Sequence, residues 1–406
     1  MTRHSPVHPT RLAAAAIALA TLAACSTSSE PREPSDPAGH GAVEGAAEVA
    51  EPQLHLVAID ADGSASMLDL LTDERTGLEP VRPAATVASD GRYVFSVDDS
   101  GVDVVDSGVW TWDHADHFHY YRAEPRAVGR VDGAGTAAVS TGMLSTAGGT
   151  GLFFPASGEA VLLDNAALAR GRVEETFRLE VGAHDGLVAP LGDGAVVSEP
   201  DGRLRVVDAQ GTTIGGTACT GASGTITTRV GLVVGCEDGA VLATLDGDDP
   251  VLERIAYPAG AAAPATTFAA RKGRPTVAGL GDGSGIWLLD TRERSWQWIE
   301  TATPVVAASA VDDADTHVVA VGDDGTVQVY DATSGGQLAT SDPVLASTLV
   351  DPALEPGVSL SVDAQRAYVN AAADGVVHEI DYADGARVAR SLRTSTRPVH
   401  VAETGR

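Results

Sequence analysis

Basic residues are scarce in this chain. It has 27 Lys+Arg against 56 Asp+Glu, a formal net charge of −29, and Lys272 is its sole lysine. A surface this acidic repels phosphate backbones, so no nucleic-acid partner is expected. It concentrates cations without selecting one of them. Cysteine is also sparse, with three residues in 406, and aromatic residues make up only 4%. Beyond the N-terminus no apolar run is long enough to span a bilayer. No segment keeps apolar positions at helical spacing over three turns. No nucleophile–base pair, Ser/His/Asp arrangement or phosphate-cradling loop stands out, so the residues do not suggest an enzyme.

What is present begins with a targeting segment. Arg3 and Arg11 precede a short apolar stretch, Leu12 to Leu22, and Leu22-Ala23-Ala24-Cys25 closes it. The stretch is too short to anchor as a transmembrane helix and has the form of a signal peptide. Its ending looks like a bacterial lipobox. Residues 1–24 are therefore expected to be removed and Cys25 lipidated, placing the chain on the extracytoplasmic face of the membrane, held by lipid alone. Residues 25–52 are rich in Ser, Pro, Glu and Ala and read as a disordered tether. In such a compartment the other two cysteines, Cys219 and Cys236, are expected to form a disulfide across strands, a Cys₂ metal pair being the alternative.

From residue 53 to 406 short apolar runs alternate with Asp-Gly turns, at Asp62-Gly63, Asp90-Gly91, Asp201-Gly202, Asp238-Gly239, Asp282-Gly283, Asp324-Gly325 and Asp374-Gly375. Asp-Gly supplies the positive φ angles that tight hairpins need. Apolar strands ending in aspartate recur at Asp69, Asp106, Asp164, Asp208, Asp246, Asp290, Asp331 and Asp381. A repeat of about 40 residues in an all-β chain predicts a β-propeller. Eight blades are expected, seven being the alternative. The last run, Val399 to Ala402, is placed as the missing inner strand of the first blade, so that the C-terminus closes the ring.

The aromatic and histidine content is concentrated in Trp110–Tyr121, which holds His114, His117 and His119 together with Asp113 and Asp116. Neutral imidazole is a common ligand of divalent transition metals, and carboxylate can complete a shell. His117 and His119 are two apart and point the same way on an extended chain. His114 reaches the same ion only if the chain loops back. The cluster is expected on the connection between the first two blades. His184, beside Asp185, is expected on the next connection and His400 at the closure, so that three blades deliver imidazoles to one channel mouth. His114, His117, His119, His184, Asp116 and His400 are the candidate ligands. Such a tetrahedral N/O shell suits zinc, although copper(II) and nickel also accept imidazole. His55 and His317 lie between apolar neighbours and read as structural. His40 in the tether and His378 on a strand are possible further ligands.

The run Asp113-His114-Ala115-Asp116-His117-Phe118-His119-Tyr120-Tyr121-Arg122-Ala123-Glu124-Pro125 resembles the AztD-type zinc metallochaperones, extracytoplasmic β-propellers that work beside a zinc ABC importer. Further likenesses are Ala183 to Leu191, Gly235 to Gly239, Ile380 to Arg387 and Glu403 to Arg406. The resemblance implies zinc bound at the histidine loop, more than one zinc ion per chain, and hand-over to the importer's solute-binding protein. The chain departs from the family pattern at Ser223, where a histidine is expected four residues after Cys219, and at Ala183, the first of two expected histidines. The expectation is thus a monomeric, lipid-anchored zinc chaperone without catalytic activity. A metal-dependent propeller hydrolase or lactonase and a metal-free protein-binding scaffold are the rival readings.

Overall fold

Strand after strand in this chain is apolar at consecutive positions because each sheet is covered on both faces. The computed structural model describes residues 41–113, 117–261, 263–283 and 285–406. Among them are eight antiparallel four-stranded sheets and one of three strands. Leu152 and Phe154 pack with Tyr93, Phe95 and Val104 of the second sheet. Phe153, between them in sequence, turns the other way and packs with Val188 and Val197 of the fourth. This is the strand period of two, spent on two cores in place of one core and solvent. Shared apolar clusters join every consecutive pair of sheets. Another joins Leu56 and Leu68 of the first sheet to Tyr368 and Val377 of the eighth. Each fully buried side chain of this size contributes roughly 1.5–3 kcal/mol relative to exposure.

The all-β propeller expected from the repeat is what the chain forms. The C-terminal strand His400–Thr404 pairs antiparallel with His55–Ile59, His400 opposite Ile59, and so completes the first sheet. The recurrent aspartates sit at the ends of third strands, where they open turns. Asp69 Oδ1 accepts the backbone N–H groups of Leu71 and Thr72 at 2.8 and 3.1 Å. Asp331 does the same for Thr333 at 2.7 Å. A carboxylate in this position satisfies donors that a tight turn leaves without backbone partners.

Cys219 and Cys236 form a disulfide. Cys219 follows the outer strand Thr213–Ala218 of the fourth sheet, and Cys236 ends Leu232–Cys236 of the fifth. The bridge therefore staples two sheets to each other and not two strands of one hairpin, and both thiols are committed to it. The composition-based boundary at residue 53 also needs correction: Ala47–Val49, inside the expected tether, is a strand. Cys25 and His40 lie outside the described residues. Among the described residues no helix is long and apolar enough to cross a membrane.

Candidate metal centre

The histidine-rich run folds as a hairpin. With β1 (Ala47–Val49), its strands β2 (Val109–Asp113) and β3 (Phe118–Arg122) make the three-stranded sheet, in the order β1-β3-β2. In chain order the hairpin falls between the third strand of the second sheet, Gly101–Asp106, and its outermost strand, Arg126–Asp132. It is an insertion within one sheet and not the connection between the first two blades. That changes which face it occupies. Bridges between successive inner-edge segments, Thr228 with Gly273 and Ala270 with Ala310, are parallel. Inner strands thus start at one end of the channel and finish at the other. In four antiparallel strands, the third-to-fourth connection lies where inner strands finish, and the connection between sheets lies where they start.

The hairpin is fixed from below by a buried ion pair. Arg92 donates from Nε and Nη2 to the two carboxylate oxygens of Asp106 at 2.9 and 2.8 Å. The guanidinium lies 3.7 Å over the Trp110 ring. Trp110 stacks on Tyr121 at 5.2 Å, and Tyr121 in turn on His119 at 6.4 Å. Burial, reinforced by the charge of Glu48, pushes the Tyr121 hydroxyl's pKa up, which keeps it neutral. Trp110 Nε1 donates to the carbonyl of Gly41 at 3.0 Å. Gly41 has φ +70°, and a Cβ there would run into the Trp112 ring, so both conformation and space require glycine. Across the channel mouth, Thr111 Oγ1 donates to the Gly405 carbonyl at 2.7 Å, and Asp113 lies 3.6 Å from Arg229 of the fifth sheet.

On this platform Nε2 of His117 and Nε2 of His119 face each other at 2.9 Å. Two imidazoles bound to one tetrahedral zinc, with Zn–N of about 2.0–2.1 Å, hold their nitrogens roughly 3.3 Å apart. A shift of a few tenths of an ångström would admit the ion. His119 Nδ1 lies 2.8 Å from Glu48 Oε1 on β1. With the Nδ1 proton donated to that carboxylate, the Nε2 lone pair is directed to the shared point. This is the carboxylate–histidine arrangement common behind metal ligands. His117 is exposed and His119 half-buried, so a partner can approach the pair.

His114 and Asp116 lie outside the described residues. Among the described residues no group of three or more His, Cys, Asp or Glu side chains converges as a metal shell. His184 and His400 are not brought to the pair. Both stand where inner strands start, His184 before Val188–Leu191 and His400 as the first residue of the C-terminal strand. His184 Nδ1 lies 2.8 Å from the Gly182 carbonyl and Nε2 3.0 Å from Ser198 Oγ, and its ring is edge-on to Phe153. His400 Nε2 is 3.2 Å from the Ala84 carbonyl, and burial holds its pKa below the ordinary value. The expected convergence of three blades is therefore corrected: the interactions at these two histidines hold loops. His55 and His317 are structural as expected, bound to Gln53 and Asp69 and to Asp313. His378 Nδ1 is 3.0 Å from Ser391 Oγ on the neighbouring strand. Sequence reasoning did not single out Glu48. It is one of three glutamates in the Ala/Glu/Gly-rich stretch 41–52, and only strand pairing across about 70 residues distinguishes it.

No protein-family model matches the chain. It is 25% identical over 210 residues to the zinc chaperone AztD of Citrobacter koseri, and the match covers 47% of this chain and 48% of that protein. The chain thus spans about half the length of that curated relative. The crystal structure of Citrobacter koseri AztD superposes with a TM-score of 0.74 at 21% identity, covering 88% of this chain and 99% of that one. The apo form of the same protein gives 0.74, with coverage of 87% and 98%. A putative 6-phosphogluconolactonase from Bacteroides fragilis gives 0.50 at 10% identity, with coverage of 87% and 98%. The AztD-type resemblance is borne out by the sequence match. At these identities the structural likenesses establish the propeller fold alone.

Proposed function

We propose that this chain is an extracytoplasmic zinc chaperone that binds zinc at the β2–β3 hairpin and passes it to the solute-binding protein of a zinc ABC importer. The observation that carries this reading is the facing pair of ring nitrogens, His117 and His119, with Glu48 behind His119. The match to a protein named as a zinc chaperone supports it. Zinc is the cargo. His114 and Asp116, which lie between β2 and β3 in sequence, are the proposed further ligands, and His184 and His400 stay outside the shell.

Transfer follows from exposure. Two imidazoles on an open hairpin leave coordination positions that a partner's ligands can enter, so zinc moves by stepwise exchange without being released to solvent. As His117 gives way first, His119 stays oriented by Glu48 and by its stack on Tyr121. The reading needs no bond chemistry, which is why we assign a carrier and not an enzyme. The Leu-Ala-Ala-Cys25 ending supports a lipid-anchored chain at the outer face of the membrane. We assign it as a monomer.

Competition titration of the metal-free protein against a zinc-chelating dye tests this. The His117→Ala/His119→Ala double variant is expected to lose tight zinc binding at one site while keeping its unfolding midpoint. Unchanged stoichiometry and affinity would overturn the assignment. Absence of zinc uptake by the wild-type protein would favour a metal-free scaffold. Turnover of lactones by the zinc-loaded protein would favour a hydrolase.

A further inference from the structure

The chain's charge balance is reversed inside its channel. Inner strands of seven sheets enclose a cavity of about 370 Å³. Its charged lining is Arg271, Lys272, Arg274 and Arg406 against Asp90 and Glu403. Elsewhere acids outnumber bases about two to one. Most of these cations are already engaged. Arg406 Nε donates to Glu403 at 2.7 Å. Arg274 Nε lies 3.3 Å from the Asp312 carboxylate. Lys272 Nζ donates to the Arg406 carbonyl at 2.9 Å. That contact reaches from the sixth sheet to the first.

Arg271 differs. Its guanidinium has no ion pair and no hydrogen bond among the described residues, although it is half-buried. Burial, and next the charge of Arg274, hold its pKa below the ordinary value against the opposing effect of Tyr382, Asp312 and Asp313. The Arg406 guanidinium is pushed down to about 10, chiefly by burial, with Arg271 adding to the effect. Asp312 and Asp313 are near enough to act on its charge but neither is bonded to it, so its fork of donors is left open to a directly paired anion. Hydroxyl residues complete the wall, among them Ser140, Thr225, Ser309 and Ser361. A planar fork of donors matches a carboxylate or phosphate group, and hydroxyls match hydroxyls. The volume is that of a small-molecule site and larger than an inorganic ion needs.

We propose that the channel is a binding site for a small hydroxylated organic anion, whose carboxylate or phosphate group pairs with Arg271. The low-dielectric walls and the local excess of positive charge draw such a ligand into a molecule whose outer surface repels it. The site is separate from the histidine pair and does not rest on the zinc reading.

Calorimetric titration of the full, chelator-treated chain with citrate, and separately with glycerol 3-phosphate, tests the proposal. At least one is expected to bind at one site with a Kd at or below about 1 mM. Arg271→Gln should weaken it at least tenfold, and Arg271→Lys less, since the charge is kept and the fork lost. The arm that binds tells carboxylate from phosphate. Unfolding midpoints are read beside each titration, and Arg271→Lys serves if Arg271→Gln does not fold. Failure of both ligands to bind, or binding indifferent to Arg271, overturns the proposal.

Discussion

Glu48 touches His119 but contributes no atom to the proposed zinc shell, so its effect is indirect and measurable. Glu48→Gln keeps the shape and removes the charge that fixes the Nδ1 proton. Removal of such a carboxylate typically lowers metal affinity by roughly 10–100-fold. That drop, with the wild-type stoichiometry retained, is the expected result of a competition titration. The buried histidines make a separate prediction. Burial lowers the pKa of His55 and of His400 in the folded chain. Unfolding returns each to about 6.5, so below that pH the unfolded state binds more protons. Their stabilising contribution is present above about pH 6.5 and is lost as pH falls toward the folded values. The unfolding midpoint should therefore drop between pH 7.5 and pH 5, and His400→Gln should reduce the drop.

At the scale of elements, what was legible in the sequence was local. An Asp-Gly turn or an aspartate closing a third strand needs only neighbouring residues, and every third strand marked by such an aspartate is present. The Val399 to Ala402 run was placed by the strand missing from the first sheet, and the C-terminal strand fills that place. The hairpin was misplaced because β2 and β3 read like an outer strand with a connection to the next blade. Only pairing of Arg126–Asp132 with Gly101–Asp106 shows that the outer strand comes later. Glu48 was hidden for the same reason, since β1 borrows its partner from β3. These placements predict that a chain starting at residue 50 keeps its eight sheets but loses β1 and Glu48. It should unfold at nearly the wild-type midpoint and bind zinc at least tenfold more weakly. The disulfide predicts the opposite pattern. It closes a loop of 17 residues between two sheets, for which chain entropy gives about 3 kcal/mol. Cys219→Ser/Cys236→Ser should lower the midpoint by several degrees, read by circular dichroism, with zinc affinity unchanged.

For the whole molecule, the propeller's part is to hold the hairpin across a channel mouth. Arg92 and Asp106 of the second sheet support it, Arg229 of the fifth faces it, and Gly405 at the C-terminus anchors it. A ligand pair with three separate supports on one rigid frame can be exposed without being floppy, which suits a carrier that must be approached. The proposed lipid anchor is tested at this scale too: Cys25→Ala is expected to move the chain from the membrane fraction to the soluble one. The central claim, that zinc sits on the hairpin, is tested most directly by diffraction from zinc-loaded crystals on either side of the zinc absorption edge. The account predicts an anomalous peak about 2.0–2.1 Å from Nε2 of both His117 and His119. A peak at the other end of the channel, at His184 or His400, with none at the hairpin, would contradict it.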